Sequence, residues 1–431
     1  MTHIYIVYAS SVLLQLIPLL HLIAQRHIQQ YVVFAAASSG FLFLNLAGSV
    51  SGSVTQYQSL PFHYANLAIA GGFAATYLIL RKMSAAASYI PLSDRFAAGA
   101  DSPRRYHRYL LALMVVHLAA LAVFTWLGAL PLVFRFDLFG DWSALVQERI
   151  RIVQHPGFYW FALAIFEIPL FATLLCVLLW PLASGPRQLR LVRSSRPRYY
   201  PYLVAYSLLL SMIYLNKQYL MYLLAALLLA YIVRSNRVPL RQLIFVAITA
   251  LVLLFGLYKL YAGSVTIGSI LQIIGHRIVE VYPWAGAVAF DLFPAEMDFL
   301  KGTSIVNPRG IFPYTQVIVG DLLYPYIYAD IGYGNAPLPA IYENYVNFGW
   351  WGIAAGIVLV CLIIVALTRL SWSRSFFMFA LSLLLTVKTL LLWQAPFWFG
   401  MVEPTLAALV CGLLLLRLLT HRSDMGSHRK D

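Results

Sequence analysis

The chain has 431 residues, of which 61% are hydrophobic and only 11% are charged, with a mean hydropathy of +0.77. Because soluble domains carry about 25% charged residues, this composition excludes a water-soluble globular protein and predicts an all-α integral membrane protein. In such a protein the positions of the charges matter more than the formal net charge of +14, and we expect no nucleic-acid partner.

Apolar windows of about 20 residues predict eleven membrane-spanning helices in a single integral membrane domain, 1–431. The predicted spans are 4–24, 31–50, 63–80, 109–133, 157–182, 200–215, 219–233, 242–261, 348–368, 376–394 and 400–418.

The sixth and seventh predicted spans are short, because Asn216, Lys217 and Gln218 interrupt one apolar stretch at 200–233. Interrupted spans are one way in which membrane proteins line a polar site, so Lys217 is a candidate substrate contact. The alternative is an ordinary tight turn whose Lys reaches the lipid headgroups.

The loops between the predicted spans fall on two sides of the membrane. The loops on one side contain about three times as many lysine and arginine residues as the loops on the other side. Because cytoplasmic loops of membrane proteins are enriched in these residues, we expect the N-terminus outside and the C-terminus in the cytoplasm. Two long loops then face outward, 262–347 and 135–156. Apolar residues at helical spacing within 269–293, and a stretch rich in aromatic and turn residues at 313–342, predict short amphipathic helices on the outer leaflet.

The few cations of these outer segments need an explanation. A guanidinium group binds phosphate through a planar fork of donors, and outer-leaflet phosphate belongs to phospholipid headgroups or to a lipid-linked diphosphate. The candidates for a phosphate site are Arg149, Arg151, Lys217, Arg277 and Arg309. For Arg277 and Arg309 the alternative is a snorkelling side chain or an ion pair with Glu280 or Asp298.

The sequence contains no HxxxH, HExxH or Cys/His spacing, so we expect no metal site and no cofactor. His276 stands beside Arg277 in the long loop, and we interpret it as part of the same predicted substrate site.

Residues 341–360, "IYENYVNFGWWGIAAGIVLV", bring hydrogen-bonding groups to the mouth of a predicted span. Glu343 and Asn347 offer a carboxylate and an amide, Tyr345 offers a flat face for a sugar ring, and Gly349 and Gly352 allow close packing. The alternative is an interfacial aromatic belt with a helix-capping Asn, which leaves Glu343 unexplained.

This stretch resembles a segment of the oligosaccharide repeat-unit polymerases, the Wzy class of O-antigen and exopolysaccharide polymerases. In that class the long outer loop commonly closes on a Glu, an aromatic residue and Asn-Phe-Gly-x-x-Gly. The residues that fill the pattern here are Glu343, Tyr345, Asn347, Phe348, Gly349 and Gly352. The Arg277-to-Trp284 spacing, which encloses Tyr282, also resembles the class. Lys217 stands where many members have an Arg, and it lacks the bidentate fork.

The resemblance implies a GT-C-like glycosyltransferase in the bacterial inner membrane. It would polymerise undecaprenyl-diphosphate-linked repeat units on the periplasmic face without a metal, with membrane lipids, a repeat-unit flippase and a chain-length regulator as partners. We expect Glu343 to act as the general base, with Asp321 or Asp330 as alternatives, and Arg277 and Arg309 to neutralise the diphosphate. The expected substrate contacts are Lys217, Arg149, Arg151, His276, Tyr282, Trp284, Tyr345 and Asn347.

Two other classes of function stay open at this point. One is an O-antigen ligase or another enzyme that uses lipid-linked sugars. Enzymes that use polyprenyl-phosphate sugars usually carry acids in the first outer loop, which here reads "SGSVTQYQSLPFH" and has none. The other is a transporter or flippase, which would predict repeated halves, and the sequence has no evident internal repeat.

Overall fold

The computed structural model describes residues 2–25, 30–50, 60–84, 103–126, 144, 147–148, 166–179, 200–213, 217–235, 240–262, 266–305, 307, 312–328, 336–390, 410 and 412–414. These residues are mainly helical and include no strand, which confirms the all-α prediction. The chain divides into two compact units, each built from separate parts of the sequence. The first unit contains Met1–Tyr89, Leu271–Trp372 and Lys388–Glu403, and the second contains Ile90–Ile270, Ser373–Val387 and Pro404–Asp431.

Helices coincide at least in part with the predicted spans from 4–24 to 376–394, whereas most of 400–418 lies outside the described residues. In chain order they are α1 (Thr2–Ala24), α2 (Val32–Val50), α3 (Leu60–Ser84), α4 (Pro103–Trp126), α5 (Ile168–Leu179), α6 (Tyr200–Ile213), α7 (Lys217–Ser235), α8 (Leu240–Ala262), α9 (Ile267–Gly275), a π-helical turn (His276–Val281), α10 (Tyr282–Leu292), α11 (Val319–Ile327), α12 (Ala340–Ser371) and α13 (Phe376–Thr389).

Three of the described helical segments are long and apolar enough to cross a membrane: Ile4–Ala24, Arg108–Trp126 and Ala340–Ser371. Several shorter apolar helices accompany them, among them α5 and α13. The chain therefore has the character of a membrane protein, whereas the count of eleven spans, the GT-C-like fold, the single domain and the orientation stay predictions. Of the predicted interruption at 216–218, Lys217 and Gln218 are the first two residues of α7, and Asn216 lies outside the described residues.

The core of the first unit is aromatic. Phe41 on α2 stacks on Phe73 of α3, with ring centroids 5.8 Å apart, and Phe34 lies against the same ring. Helix α12 packs against α3 so closely that a Cβ on Gly72 would lie 2.4 Å from the Ile357 side chain. Only a glycine permits this approach of the two helices.

The second unit is held together by aromatic contacts and buried hydroxyl groups. Phe377 of α13 makes edge-on contacts with Phe171 of α5 and Tyr109 of α4. Thr173 and Ser207, on α5 and α6, are hydrogen-bonded through their hydroxyls at 2.6 Å. Such bonds join apolar helices whose surfaces are otherwise featureless.

Helix α12 is two helical segments rather than one. Gly349 has φ of +61° and ψ of −143°, which no helix contains. In a straight helix, Ile341 and Gly356 would lie about 22 Å apart, yet a Cβ on Gly356 would be 3.6 Å from the Cα of Ile341. The first segment, 340–348, therefore folds back along the second, 350–371, which is still long enough to cross a bilayer.

The helices of the long loop agree only in part with the prediction of amphipathic helices on a membrane surface. Helix α11 is amphipathic and buries Val319, Leu323 and Ile327, which share one face. Helix α10 is different, because nearly all of it from Ala285 to Phe290 is buried. Its small residues allow it to pack inside the first unit, so it is buried instead of lying on a membrane surface as predicted.

Candidate functional site

The stretch with the predicted chemistry, 343–352, lies at the reversal of α12. Pro339 precedes the first segment, and Ile341, Tyr342, Tyr345 and Val346 are buried. Past the reversal, a Cβ on Gly352 would lie 1.9 Å from the backbone oxygen of Asn344. The predicted close approach at Gly352 is thus confirmed, and the neighbour is the chain's own preceding segment.

Glu343 and Asn347 form one hydrogen-bonded cluster with the turn that precedes α11 in the chain. Each side chain is 2% exposed. The Ser304 hydroxyl donates to Glu343 Oε1 at 2.6 Å and accepts from Asn347 Nδ2 at 2.7 Å. Asn347 Nδ2 also donates to the Glu343 carbonyl, and its Oδ1 accepts from the Gly302 amide at 3.0 Å. We call Glu343, Asn347, Ser304 and Gly302 the anchor cluster.

Backbone hydrogen bonds reinforce the anchor cluster. A helix that ends leaves its last carbonyls without intrahelical partners, and the first segment of α12 ends at the reversal. The Leu300 and Lys301 amides donate to the carbonyls of Val346 and Asn347, both at 3.0 Å. Turn 300–305 is thereby joined to the end of this segment by backbone as well as side-chain bonds.

The turn itself has an unusual backbone. Lys301 and Gly302 have φ of +52° and +94°, in the left-handed region that favours glycine. A Cβ on Gly302 would meet the Phe348 ring at 3.2 Å. The anchor cluster stabilises a conformation that this sequence would rarely adopt alone.

The side chain of Asn307 links the two sides of the next part of the loop by hydrogen bonds. Its Oδ1 accepts from the Phe312 amide at 2.9 Å, and its Nδ2 donates to the carbonyls of Phe312 and Tyr314. Residues 308–311, which include Arg309, lie outside the described residues, but the residues at both ends of this segment are bonded to one another. Tyr314 also donates to the Ile305 carbonyl, and the Val317 amide to that of Thr303.

The aromatic residues of the stretch separate into two groups. Tyr345 is 4% exposed, stacks on Phe290 at 3.9 Å and donates its hydroxyl to the Phe293 carbonyl. Trp350, Trp351 and Phe348 are exposed, Trp351 by 85%. Packing accounts for the Tyr345 ring, so its predicted sugar contact stays a prediction.

On its other side, the first segment of α12 is bonded to the helices of the first unit. The Tyr342 hydroxyl donates to Asn66 Oδ1 on α3. The Asn66 carbonyl accepts from Ser11 of α1, whose hydroxyl accepts from Asn45 of α2 at 2.5 Å. Four helices are thus joined through a chain of buried side chains.

His276 and Arg277 begin the π-helical turn between α9 and α10. His276 Nδ1 lies 2.6 Å from Glu280 Oε2, and both side chains are a little over 40% exposed. The His276 ring also meets Tyr328 edge-on. Glu280, offered above as an ion-pair partner for Arg277, therefore contacts its neighbour His276. Tyr282 and Trp284 follow in α10, and both are partly buried.

The predicted cations are not all placed. Arg149, Arg151 and Arg309 lie outside the described residues, as do the alternative base Asp330 and most of loop 135–156. Lys217 begins α7, and Arg277 lies in the π-helical turn, but the positions of their side chains are not among the described features. The shared phosphate site therefore stays a prediction.

Two residues of the site escaped sequence reasoning. Ser304 and Asn307 lie in a polar loop segment, "KGTSIVNPRG", where nothing in the spacing links them to α12.

Asp321, an alternative base, is exposed on α11, and partial burial raises the pKa of its carboxyl above the ordinary value. Among the described residues, no group of three His, Cys, Asp or Glu side chains could hold a metal ion.

In comparisons with known proteins, no family model, no curated protein and no solved structure matches this chain.

Proposed function

We propose that this chain is a membrane glycosyltransferase that joins oligosaccharide repeat units carried on undecaprenyl diphosphate, on the outer face of the bacterial inner membrane. The donor is the growing glycan on its lipid diphosphate, and the acceptor is a terminal sugar hydroxyl of a second lipid-linked unit. Its apolar helices suit an enzyme whose two substrates are both lipids.

The observation that carries the proposal is the construction of 343–352, the stretch that resembles the polymerases. Its polar residues, Glu343 and Asn347, and its glycines, Gly349 and Gly352, all serve one local structure. That structure fixes the turn that leads into the segment containing Arg309. A pattern built for close packing and buried hydrogen bonds favours a specifically folded loop over an aromatic belt at the membrane surface.

The reaction forms one glycosidic bond and breaks one glycosyl phosphate bond. The acceptor hydroxyl loses its proton to a general base as its oxygen attacks the anomeric carbon of the donor. The bond from that carbon to the phosphate oxygen breaks, and undecaprenyl diphosphate leaves with the electron pair. The protein has to align two sugars and neutralise the diphosphate charge.

We assign charge neutralisation to Arg277 and Arg309. Arginine suits this role because its fork of donors matches phosphate oxygens and it stays charged at all relevant pH values. Arg277 lies in a π-helical turn, and such turns are frequent at functional sites. Both residues belong to the first unit.

We assign the general base to Asp321 of the same unit. A general base must be able to reach the acceptor hydroxyl. Asp321 is exposed on α11, and partial burial shifts its carboxyl pKa above the ordinary value. The Val317 amide donates a hydrogen bond to the Thr303 carbonyl, which joins the chain just before α11 to turn 300–305.

The test is polymerisation by the purified full-length chain in liposomes supplied with an undecaprenyl-diphosphate-linked repeat unit. We expect a ladder of products on a gel and release of one undecaprenyl diphosphate for each bond formed. Arg277→Ala, Arg309→Ala and Asp321→Asn should each lower the rate at least about a hundredfold.

Arg369→Ala is the matched control, because Arg369 is exposed in the same unit but at the far end of α12, on the predicted cytoplasmic side. It should leave the ladder unchanged. Transfer of a single glycan to a lipid A core, with no ladder, would identify a ligase instead. Movement of the lipid-linked unit across the bilayer without any new bond would identify a transporter.

A further inference from the structure

We infer that Glu343, Ser304 and Asn347 are positioning residues that hold turn 300–305 against α12 and thereby position Asn307 and Phe312, which flank Arg309 in the sequence. What Arg309 binds rests on the proposed function, whereas the attachment of the turn does not. Glu343 then acts through the loop rather than on the acceptor hydroxyl.

The hydrogen bonds of the anchor cluster use the groups that could otherwise bind a ligand. Asn347 has two N–H donors and one carbonyl oxygen, and all three are engaged, with Ser304, Glu343 and Gly302. Ser304 donates its only hydroxyl hydrogen bond to Glu343 Oε1. A side chain that is 2% exposed and already accepts this bond is better suited to fixing a turn than to receiving a substrate hydroxyl.

Turn 300–305 needs this support because its backbone conformation is energetically unfavourable. Lys301 is a non-glycine residue with positive φ, and such a conformation persists only where surrounding bonds enforce it. Three hydrogen bonds enforce it. They are donated by the backbone amides of Leu300, Lys301 and Gly302 to groups at the end of the first segment of α12.

Beyond the turn, hydrogen bonds link the described residues on the two sides of 308–311. Thr303 and Ile305 accept hydrogen bonds from Val317 and Tyr314, and Asn307 bonds to Phe312. Displacing the turn therefore displaces Asn307 and Phe312, which lie at the two ends of 308–311.

A positioning role and a general-base role of Glu343 predict different results for two substitutions of this residue. The amide oxygen of Gln can accept the Ser304 hydrogen bond, but an amide cannot take a proton from a hydroxyl. A positioning residue is therefore rescued by Glu343→Gln and lost in Glu343→Ala, whereas a general base is lost in both.

The experiment measures amide hydrogen exchange and polymerisation in the same purified proteins. In Glu343→Ala and Ser304→Ala, we expect exchange of the amides of 300–302 to quicken about tenfold or more. The KM for the undecaprenyl-diphosphate-linked donor should rise about tenfold, with a smaller change in kcat, and inhibition by inorganic pyrophosphate should weaken. Glu343→Gln should restore most of what Glu343→Ala loses in all three measurements.

Ser371→Ala is the matched control. Ser371 is as buried as Ser304 and donates one hydrogen bond, but its partner is the Thr368 carbonyl in its own helix. Its removal should alter neither exchange at 300–302 nor the donor KM.

Two results would overturn the inference. Normal exchange at 300–302 in both Glu343→Ala and Ser304→Ala would remove the attachment, whether or not the protein polymerises. An inactive Glu343→Gln with normal exchange would make Glu343 the base. A wild-type protein that makes no ladder would refute the proposed function alone, since the exchange measurements need no substrate. If Glu343→Ala does not fold, Glu343→Gln and Ser304→Ala still decide the question.

Discussion

Two groups of buried polar side chains in the first unit are organised in opposite ways. In the anchor cluster, Glu343, Ser304 and Asn347 are all hydrogen-bonded to one another. In α1 and α2, Gln15 and Ser38 are fully buried, yet their side-chain nitrogen and oxygen atoms have no hydrogen-bond partner among the described residues. Asn45 is intermediate, with its Nδ2 bonded to Ser11 and its Oδ1 lacking a partner in the same part of the chain.

The difference follows from what the backbone needs. A helix in a membrane satisfies its own backbone groups, so Gln15 and Ser38 supply no bond that the backbones of α1 and α2 need. A turn and a helix reversal leave more backbone groups without local partners, and the side chains of the anchor cluster supply bonds such as the one that Asn347 accepts from the Gly302 amide. Substitutions that remove polar groups should therefore be far more costly at the reversal than inside the spans.

The largest effect should come from Gly352→Ala at the reversal. The new methyl group would lie 1.9 Å from the Asn344 backbone oxygen, and a backbone atom cannot move aside as a side chain can. We expect a loss of about 3 kcal/mol or more in the free energy of unfolding, seen as little or no monodisperse protein in detergent. Gly71→Ala is the control, since a Cβ there meets nothing within 4 Å. Normal yield of Gly352→Ala would mean that the two segments of α12 do not touch.

Asn347→Leu should rank second. The substitution keeps the volume of the side chain but leaves the Gly302 amide and the Ser304 hydroxyl short of partners. We expect a loss of about 2–3 kcal/mol in the free energy of unfolding, measured by SDS titration in mixed micelles. A loss below about 0.5 kcal/mol would place the anchor cluster in the same class as the polar residues of α1 and α2.

Tyr342→Phe should have a moderate effect. It removes the single hydrogen bond from α12 to Asn66 while keeping the ring against Phe62 and Phe290. We expect a loss of about 1 kcal/mol in the same titration. Tyr5→Phe, at an exposed position of α1, provides the baseline, and equal stability of the two variants would contradict the assignment.

Gln15→Leu should have the smallest effect. Leucine has a similar volume and removes two polar atoms that have no partner among the described residues. We expect a change within about 0.5 kcal/mol, or a gain in stability. A loss above about 1 kcal/mol would show that Gln15 is hydrogen-bonded after all and would abolish the contrast with the anchor cluster.

The sequence predicts the helices of this protein well and the site only in part. Apolar windows predict a span at 4–24 where α1 occupies Thr2–Ala24, and they begin a span at 348, one residue before the reversal at Gly349. These successes reflect a local signal, since the hydrophobic length of a segment is contained within that segment.

The hydrogen-bond partners of Glu343 and Asn347 could not be predicted in this way. Ser304 is 39 positions away from Glu343 in the chain, and no periodicity relates the two. The burial of α10 escaped prediction for the same reason, since the packing around Ala285 and Val288 depends on helices distant in sequence. Residue types indicated where the chemistry would lie, but only the tertiary structure shows which groups are already engaged with the backbone.

The reversal at Gly349 gives α12 the geometry of a lever with a short arm. The long arm is the apolar segment 350–371, and the short arm, 340–348, carries the turn through bonds at Leu300 and Lys301. The two arms follow each other directly at Gly349, so we expect a small tilt of the long arm in a thicker or thinner bilayer to reach the loop. We therefore expect the lipid composition around the protein to affect the conformation of turn 300–305.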